Sequence, residues 1–194
     1  MRAQPHLIAK RAFRWRLFAL AAMSCWGASA IAAAPDPPLA SLATQLAQAH
    51  DPGQAQALAA RMEALREQAV QPAVRLLLRR AQREMTAGQR RAAIGDLDDA
   101  VALQPDNALL WRERAAAYDL DGNLDAAVQD LGGSLSRDAG DVLAWQALAA
   151  VEEQRGTAAA AYKAWQHVLT LDPMIEDGGK RLDRLRRRAL GQPA

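Results

Sequence analysis

The sequence predicts an all-α protein, and three observations lead to this prediction. Of the 194 residues, 46 are alanine, which is the best helix former and a poor strand residue, and only 5% are aromatic. Glycines recur at a spacing of 34 residues, as Gly88, Gly122 and Gly156. Apolar side chains recur at helical spacing, as Leu131 and Leu135 do. With 51% hydrophobic and 24% charged residues, the composition is globular and argues against a β-sandwich, a collagen-like chain and a disulfide scaffold.

The first element is a leader, residues 1–32, which we interpret as a secretory signal peptide. It holds five basic residues and no acidic one, and an apolar stretch at 17–26 precedes small residues that suit cleavage after Ala32. An uncleaved membrane anchor is the alternative, and lipidation at Cys25 is a third interpretation, although the preceding residues fit it poorly. The expected location is therefore the periplasm or the exterior after cleavage, or the inner membrane if the leader is retained.

Removing the leader reverses the formal net charge. The whole chain carries +2, whereas the part from Pro35 onward holds 19 basic and 22 acidic residues, a net charge of −3. The alkaline isoelectric point therefore arises mainly from the leader, and we expect no nucleic-acid partner. The only cysteine also lies in the leader, so the mature chain would have no disulfide, thiolate metal site or cysteine nucleophile.

A proline-rich linker at 33–38 leads into a helical pair at 39–72. Leu42 and Leu46 lie on one face of its first helix, and Leu58 and Met62 lie on one face of its second. Because the pair shares little of the 34-residue signature, we interpret it as a degenerate terminal repeat.

Three helix–turn–helix units follow, at 74–107, 108–141 and 142–175. Helices are expected near 74–87, 90–104, 108–120, 123–136, 142–154 and 157–171, with Asn107, Asp141 and Thr157 as N-caps. Glycine permits the tight turn within each unit, alanine permits close helix packing, tryptophan fills the space between helices, and proline separates successive units. The repeat-structural positions are Ala81, Gly88, Ala93, Pro105, Trp111, Ala115, Tyr118, Gly122, Ala127, Trp145, Ala149, Gly156, Ala161, Trp165 and Pro173.

The last element, 176–194, is predicted to be a capping helix of about 175–190 with a basic tail. From Lys180 onward there are six basic residues against Asp183 alone, whereas residues 35–179 carry a net charge of −8. The positive charge complements the C-terminal end of the helix dipole. Contact with anionic lipid headgroups, or with the acidic body of another copy, is the alternative.

These residues resemble the tetratricopeptide repeat (TPR) family, and the unit with Trp111, Ala115, Tyr118, Gly122 and Ala127 fits best. The resemblance covers about half of the chain. It implies a right-handed α-solenoid of helix–turn–helix repeats with flanking capping helices, and a concave groove lined by the first helix of each repeat.

The resemblance also assigns a peptide-binding groove by register. Its expected residues are Arg75, Leu78, Gln82, Leu109, Arg112, Ala116, Asp119, Leu143, Gln146 and Glu153. This surface mixes apolar and charged side chains and would suit a partner helix or an extended peptide. It has no lysine or asparagine, so the family's carboxylate-clamping subtype is not expected. Alternatively, the last helix or the N-terminal pair fills the groove.

The search for chemistry returns no catalytic set, metal site or cofactor site. His50 and His167 have no ligand neighbour at helical spacing, and the acidic run at 119–130 departs from a calcium loop at its sixth and twelfth places. Aromatic residues coincide mainly with packing positions rather than with a stacking surface. We therefore expect a non-enzymatic protein without a metal or cofactor.

The leading functional hypothesis is an exported scaffold that binds a protein or peptide in the repeat groove. The alternative is a self-assembling structural protein of the envelope without a separate ligand, in which the basic tail of one copy contacts the acidic body of the next. Membrane contact, if present, would involve only the leader or the tail.

Overall fold

A computed structural model describes residues 37–191 of the chain. The predicted signal peptide and most of the linker lie outside the described residues. The described part contains nine α-helices and no strand, and none of these helices is long and apolar enough to cross a membrane. The helices are α1 Pro37–Ala47, α2 Pro52–Gln68, α3 Pro72–Thr86, α4 Arg90–Leu103, α5 Ala108–Asp121, α6 Leu124–Arg137, α7 Val142–Gln154, α8 Ala158–Leu171 and α9 Gly178–Ala189. This confirms the all-α helical-repeat solenoid.

The three central pairs, α3–α4, α5–α6 and α7–α8, are joined by the same turn. Gly88, Gly122 and Gly156 have φ of +75°, +83° and +78°, a conformation that costs other residues about 1–2 kcal/mol. The next residue in each turn donates its backbone N–H to the carbonyl five residues earlier, at 2.8–2.9 Å. This bond closes the end of the first helix of each pair, which explains the 34-residue glycine spacing.

Alanine and tryptophan then set how each pair packs. The six repeat alanines, 81, 93, 115, 127, 149 and 161, are at most 1% exposed. Trp111 and Trp145 each donate from Nε1 to the carbonyl six residues earlier, 2.8 Å to Pro105 and 2.9 Å to Ala139. A Cβ on Gly133 would lie 2.7 Å from the Trp111 ring, so this glycine provides the space for the indole.

Two of the repeats also carry a charged pair at matching positions. Arg80 pairs with Asp96 in the first repeat, and Arg114 pairs with Asp130 in the second, with nitrogen–oxygen distances of 2.7 and 2.8 Å for the latter. These pairs tie the two helices of a repeat together. The third repeat has Leu148 and Ala164 at these positions, and both contribute to an apolar cluster shared with the N-terminal helices.

The N-terminal pair, α1–α2, does not stack on the first repeat. Its end reaches that repeat, where Val70 packs with Val74, but α1 packs on α8 of the third repeat. The expectation of a degenerate repeat at the end of the array therefore has to be corrected. The physical reason is the apolar face of the pair, with Leu46 and Met62, which is covered by the third repeat.

The exposure of α3 also indicates that the N-terminal pair does not stack on the first repeat. Leu76 on α3 is 68% exposed, whereas its counterparts one and two repeats later, Leu110 and Ala144, are fully buried by the repeat before them. The first repeat thus has no stacked neighbour on this side in the described structure.

The last helix, α9, caps the other end by packing on α8, and its Leu185 is fully buried. It begins at Gly178, a few residues later than expected. The Arg181 guanidinium lies 4.3 Å above the Trp165 ring, and Arg181 and Arg188 both pair with Glu153 of α7. Part of the basic tail is therefore neutralised within its own chain.

Candidate interaction surface

The groove expected on α3, α5 and α7 is divided by the chain's own helix α2. Of the expected groove residues, Leu78, Leu109 and Arg112 are buried. Leu109 is therefore part of the core. The substitution Leu109→Asp would disturb folding, so it could not serve as a test of binding. At the centre of this surface, α2 of the N-terminal pair occupies the groove, which corresponds to the alternative given above.

The remaining groove positions are distributed around α2. Asp119 accepts a hydrogen bond from the Gln154 amide at 2.9 Å, Glu153 is occupied by the arginines of α9, and Ala116 is exposed. The other positions separate into two groups on either side of α2. Arg75, Leu78, Gln82 and Leu109 line one pocket, and Leu143 and Gln146 line another.

A buried ion network holds α2 in place. Arg112 on α5 contacts Glu63 of α2 and lies 2.6 Å from Asp141, which is completely buried at the start of α7. Arg66 of α2 donates from Nε to Asp138 at 2.8 Å and from Nη2 to the Gly140 carbonyl at 3.1 Å. Burial acts to lower the pKa of Arg112, but the carboxylates of Asp141 and Glu63 together outweigh it, so the pKa is raised. Two guanidinium groups thus bridge α2, α5 and the α6–α7 connection.

The pocket on the first-repeat side has a volume of about 280 Å³ and a polar lining. Arg75 uses its Nη2 for the backbone carbonyls of Gln68 and Val70, at 3.3 and 2.7 Å. Burial raises the pKa of Glu113. Since Arg75 already binds carbonyls at the end of α2 and just after it, we interpret this pocket as mainly a packing feature.

The pocket on the third-repeat side, which we call the repeat-3 cavity, is larger and mainly apolar. It has a volume of about 670 Å³ between α2, α7 and the α8–α9 connection. Its apolar walls are Leu46, Ala55, Ala59, Met62, Val142, Leu143, Met174 and Ile175. Its charged lining consists of Glu63, Arg66, Asp172 and Glu176. A cavity of this size and lining is typical of a ligand-binding site.

Sequence reasoning missed Asp172, although its signal was present. Gln104, Asp138 and Asp172 are spaced by 34 residues, and each is the residue that follows the second helix of a repeat. The Asp172 side chain is buried, and this burial raises the pKa of its carboxyl. This position lies one residue before Pro173, which the repeat pattern does include.

The described residues include no group of three or more histidine, cysteine or acidic side chains placed to hold a metal. His167 stacks on Trp145 at 4.1 Å, and His50 is exposed. The acidic run at 119–130 comprises the end of α5, the turn at Gly122 and the start of α6, which Asn123 caps by accepting the Ala126 N–H at 3.2 Å.

The comparison with known proteins supports the fold. No protein-family model matches the sequence, and no curated protein matches it. Among solved structures, the first TPR of Spaghetti (RPAP3), bound to the HSP90 peptide SRMEEVD, is similar with a TM-score of 0.57 and 20% identity, over 61% of this chain and 94% of that one.

Two further structures are similar to the same extent. The Sgt2 TPR domain from Aspergillus fumigatus has a TM-score of 0.58 and 22% identity, over 65% of this chain and 88% of that one. The TPR2B domain of yeast Sti1, in a complex with pHsp70, has a TM-score of 0.53 and 19% identity, over 66% and 99%. At these identities the similarity shows the TPR fold.

Proposed function

We propose that this chain is an exported protein-interaction module that binds a segment of a partner protein in the repeat-3 cavity. The observation that carries the proposal is this 670 Å³ apolar cavity on the concave face of a TPR fold. The similar structures of RPAP3 and Sti1 contain bound HSP90 and pHsp70 ligands, which supports a peptide as the ligand class here. No catalytic constellation among the described residues competes with this role.

The position of α2 determines where a partner fits. A peptide along the centre of the groove would have to displace the ion network of Arg112, Arg66 and Asp141, which is buried. Beside the third repeat, by contrast, α2 presents small residues and leaves space. The binding site is therefore expected at one end of the concave face rather than along its whole length.

Three exposed alanines on α2 provide a matched test. Ala60 lines the repeat-3 cavity, Ala64 lines the smaller pocket, and Ala57 lines neither. Each is replaced by phenylalanine, and partners are captured by chemical crosslinking in cells and identified by mass spectrometry. We expect a partner that is retained by Ala57→Phe and Ala64→Phe and lost by Ala60→Phe.

Other outcomes of this experiment count against the proposal. A partner that survives Ala60→Phe binds elsewhere, and one lost only in Ala64→Phe binds the smaller pocket. If the unchanged chain captures no partner above the level of an unrelated exported protein, the interaction role is wrong.

Export is supported by the sequence of the leader alone. The proposal expects the chain in the periplasmic or external fraction, with a mature N-terminus at Ala33. N-terminal sequencing of the chain from fractionated cells tests this. A full-length chain in the inner membrane would indicate the anchor instead, and a full-length cytoplasmic chain would refute export.

Self-assembly through the basic tail receives less support from the structure. Arg181 and Arg188 are paired with Glu153 of their own chain, and Lys180 is paired with Asp177. Fewer cations therefore remain for the acidic body of another copy.

A further inference from the structure

We propose that the repeat-3 cavity recognises a basic side chain, arginine or lysine, of the partner segment and that Asp172 is the carboxylate that binds it. This inference rests on the proposed function and specifies its ligand. It follows from comparing the same position in the three repeats, occupied by Gln104, Asp138 and Asp172. The backbone is the same at all three, with φ of −139°, −141° and −136°.

In the first two repeats this side chain binds the N-terminal pair or the residues that follow it. Gln104 donates to the Ala69 carbonyl at 2.9 Å and accepts the Gln71 N–H at 3.0 Å. Asp138 accepts the Arg66 Nε–H through Oδ2 at 2.8 Å. In the first and second repeats this position therefore binds the polypeptide that crosses the concave face.

The third position is built in the same way but has no cation. Asp138 accepts the N–H two residues later, of Gly140, through Oδ1 at 3.0 Å, and Asp172 accepts the N–H of Met174 through Oδ1 at 3.1 Å. Asp172 is only 7% exposed and lines the cavity. Within residues 37–191, no lysine, arginine or histidine pairs with its carboxylate, so Oδ2 lacks the partner that Arg66 gives to Asp138.

Asp172 has no cation beside it because the side chains of α2 that face the third repeat are smaller than those that face the second. Arg66 fills the space opposite the second repeat, whereas Ala55, Ala59 and Ala60 line the cavity opposite the third. Arg66 is not free to move to Asp172, since it is held by Asp138 and the Gly140 carbonyl. A side chain from outside therefore has both space and an unpaired acceptor.

Charge and shape both favour a basic side chain. Of the carboxylates that line the cavity, Glu63 is already paired with Arg112, whereas Asp172 and Glu176 form no ion pair with any described residue. Burying a carboxylate without a partner is unfavourable, and the raised pKa of Asp172 reflects this burial. A bound cation would relieve the cost, and the apolar walls suit the aliphatic stem of arginine or lysine.

Small probes test this recognition directly. Hexylguanidinium imitates an arginine side chain, hexanoate has a similar stem with the opposite charge, and 1-hexanol is neutral. Binding of each to the purified chain is followed by NMR titration. We expect hexylguanidinium to bind about tenfold or more tightly than 1-hexanol, as a charge-assisted hydrogen bond predicts, and hexanoate to bind most weakly.

Two variants identify the carboxylate responsible. Asp172→Asn keeps an acceptor for the Met174 N–H but removes the charge, and we expect it to abolish the preference for the cation. Glu176→Gln removes an exposed charge from the same cavity and is expected to change hexylguanidinium affinity by less than about threefold. Equal binding of all three probes, or a preference that survives Asp172→Asn, would overturn the assignment.

The outcome can be separated from that of the proposed function. If Ala60→Phe abolishes partner capture but the probes show no charge preference, only the present inference fails. If the probes behave as expected but capture is insensitive to Ala60→Phe, the cation site exists and the proposed function is wrong. An Asp172-dependent dimer, detected by sedimentation, would replace the partner by a second copy and overturn the choice of occupant.

Discussion

Replacing Arg112 by methionine tests how α2 is held against the repeats. Methionine keeps much of the aliphatic volume but removes the guanidinium that contacts Glu63 and lies 2.6 Å from Asp141. The completely buried Asp141 would then retain the Ala144 N–H at 3.1 Å and Arg66 Nε at 3.9 Å. Removing one partner of a buried ion pair costs about 3–5 kcal/mol, because the other charge stays buried.

This cost is a large fraction of a typical domain's stability, which is about 5–15 kcal/mol. We expect the free energy of unfolding, measured by urea titration with circular dichroism, to fall by about 3–5 kcal/mol in Arg112→Met. Amide hydrogen exchange in α2 is expected to accelerate, since α2 loses the ion pair that joins Glu63 to Arg112 of α5.

Two further variants make the reasoning specific. Arg188→Met removes an exposed arginine paired with Glu153 and is expected to cost less than about 1 kcal/mol. Adding Asp141→Asn to Arg112→Met keeps a side-chain cap for α7 and removes the buried charge that has lost its Arg112 partner, so part of the lost stability is expected to return. If Arg112→Met costs no more than Arg188→Met and exchange in α2 is unchanged, the network does not hold the helix.

Three other predictions follow from single positions. Gly132→Ala is expected to stabilise the protein by about 0.5–1 kcal/mol, because the added Cβ would meet nothing within 4 Å. Gly133→Ala is expected to destabilise it, because the added Cβ would collide with the Trp111 indole. Thermal unfolding measures both effects. Leu76→Ala is expected to cost less than about 0.5 kcal/mol and Leu110→Ala about 2–5 kcal/mol in urea titrations, and similar costs would mean that a repeat does cover Leu76. Because burial raises the pKa of Asp172 above its ordinary 3.8, the folded state binds this proton more tightly, and the contribution of Asp172 to stability decreases as pH rises through the raised pKa. Asp172→Asn removes this dependence, so its stability relative to the unchanged chain is expected to increase between about pH 4 and pH 7, and a constant difference would contradict the shift.

The repeats could be predicted because their signals are local. Glycine occurs at 122 because of the backbone conformation of that residue itself. Alanine occurs at 127 because a neighbouring helix packs closely against it. The prediction for Thr157 failed in its detail. Its hydroxyl bonds to the carbonyl and carboxylate of Glu152, rather than accepting a backbone N–H of α8. Glu152 stands where the best repeat has tyrosine, and its carboxylate accepts the Thr157 hydroxyl.

The position of the N-terminal pair could not be predicted in the same way. The spacing of Leu42 and Leu46 shows which face of α1 is apolar but does not show which surface covers it. Arg66 and Arg112 find their carboxylates in distant segments, and no periodicity connects them. The cation position at Asp172 is an intermediate case. The 34-residue spacing could have identified the position of Asp172. The space beside its carboxylate, however, depends on the alanines of α2, which lie far away in the sequence.

The packing of α1 on α8 gives this array an unusual consequence for folding. In a linear repeat protein each unit contacts only its neighbours, so the ends fray independently and unfolding proceeds unit by unit. Here α1 and α2 also complete the core of the last repeat, so we expect the N-terminal pair and the third repeat to lose their contacts together. The packing of α1 on α8 adds contacts between segments that are far apart in the sequence, so we expect slower and more cooperative folding than in a linear repeat protein. During synthesis α1 and α2 emerge before the three repeats, yet their apolar face is covered only after α8 has been made.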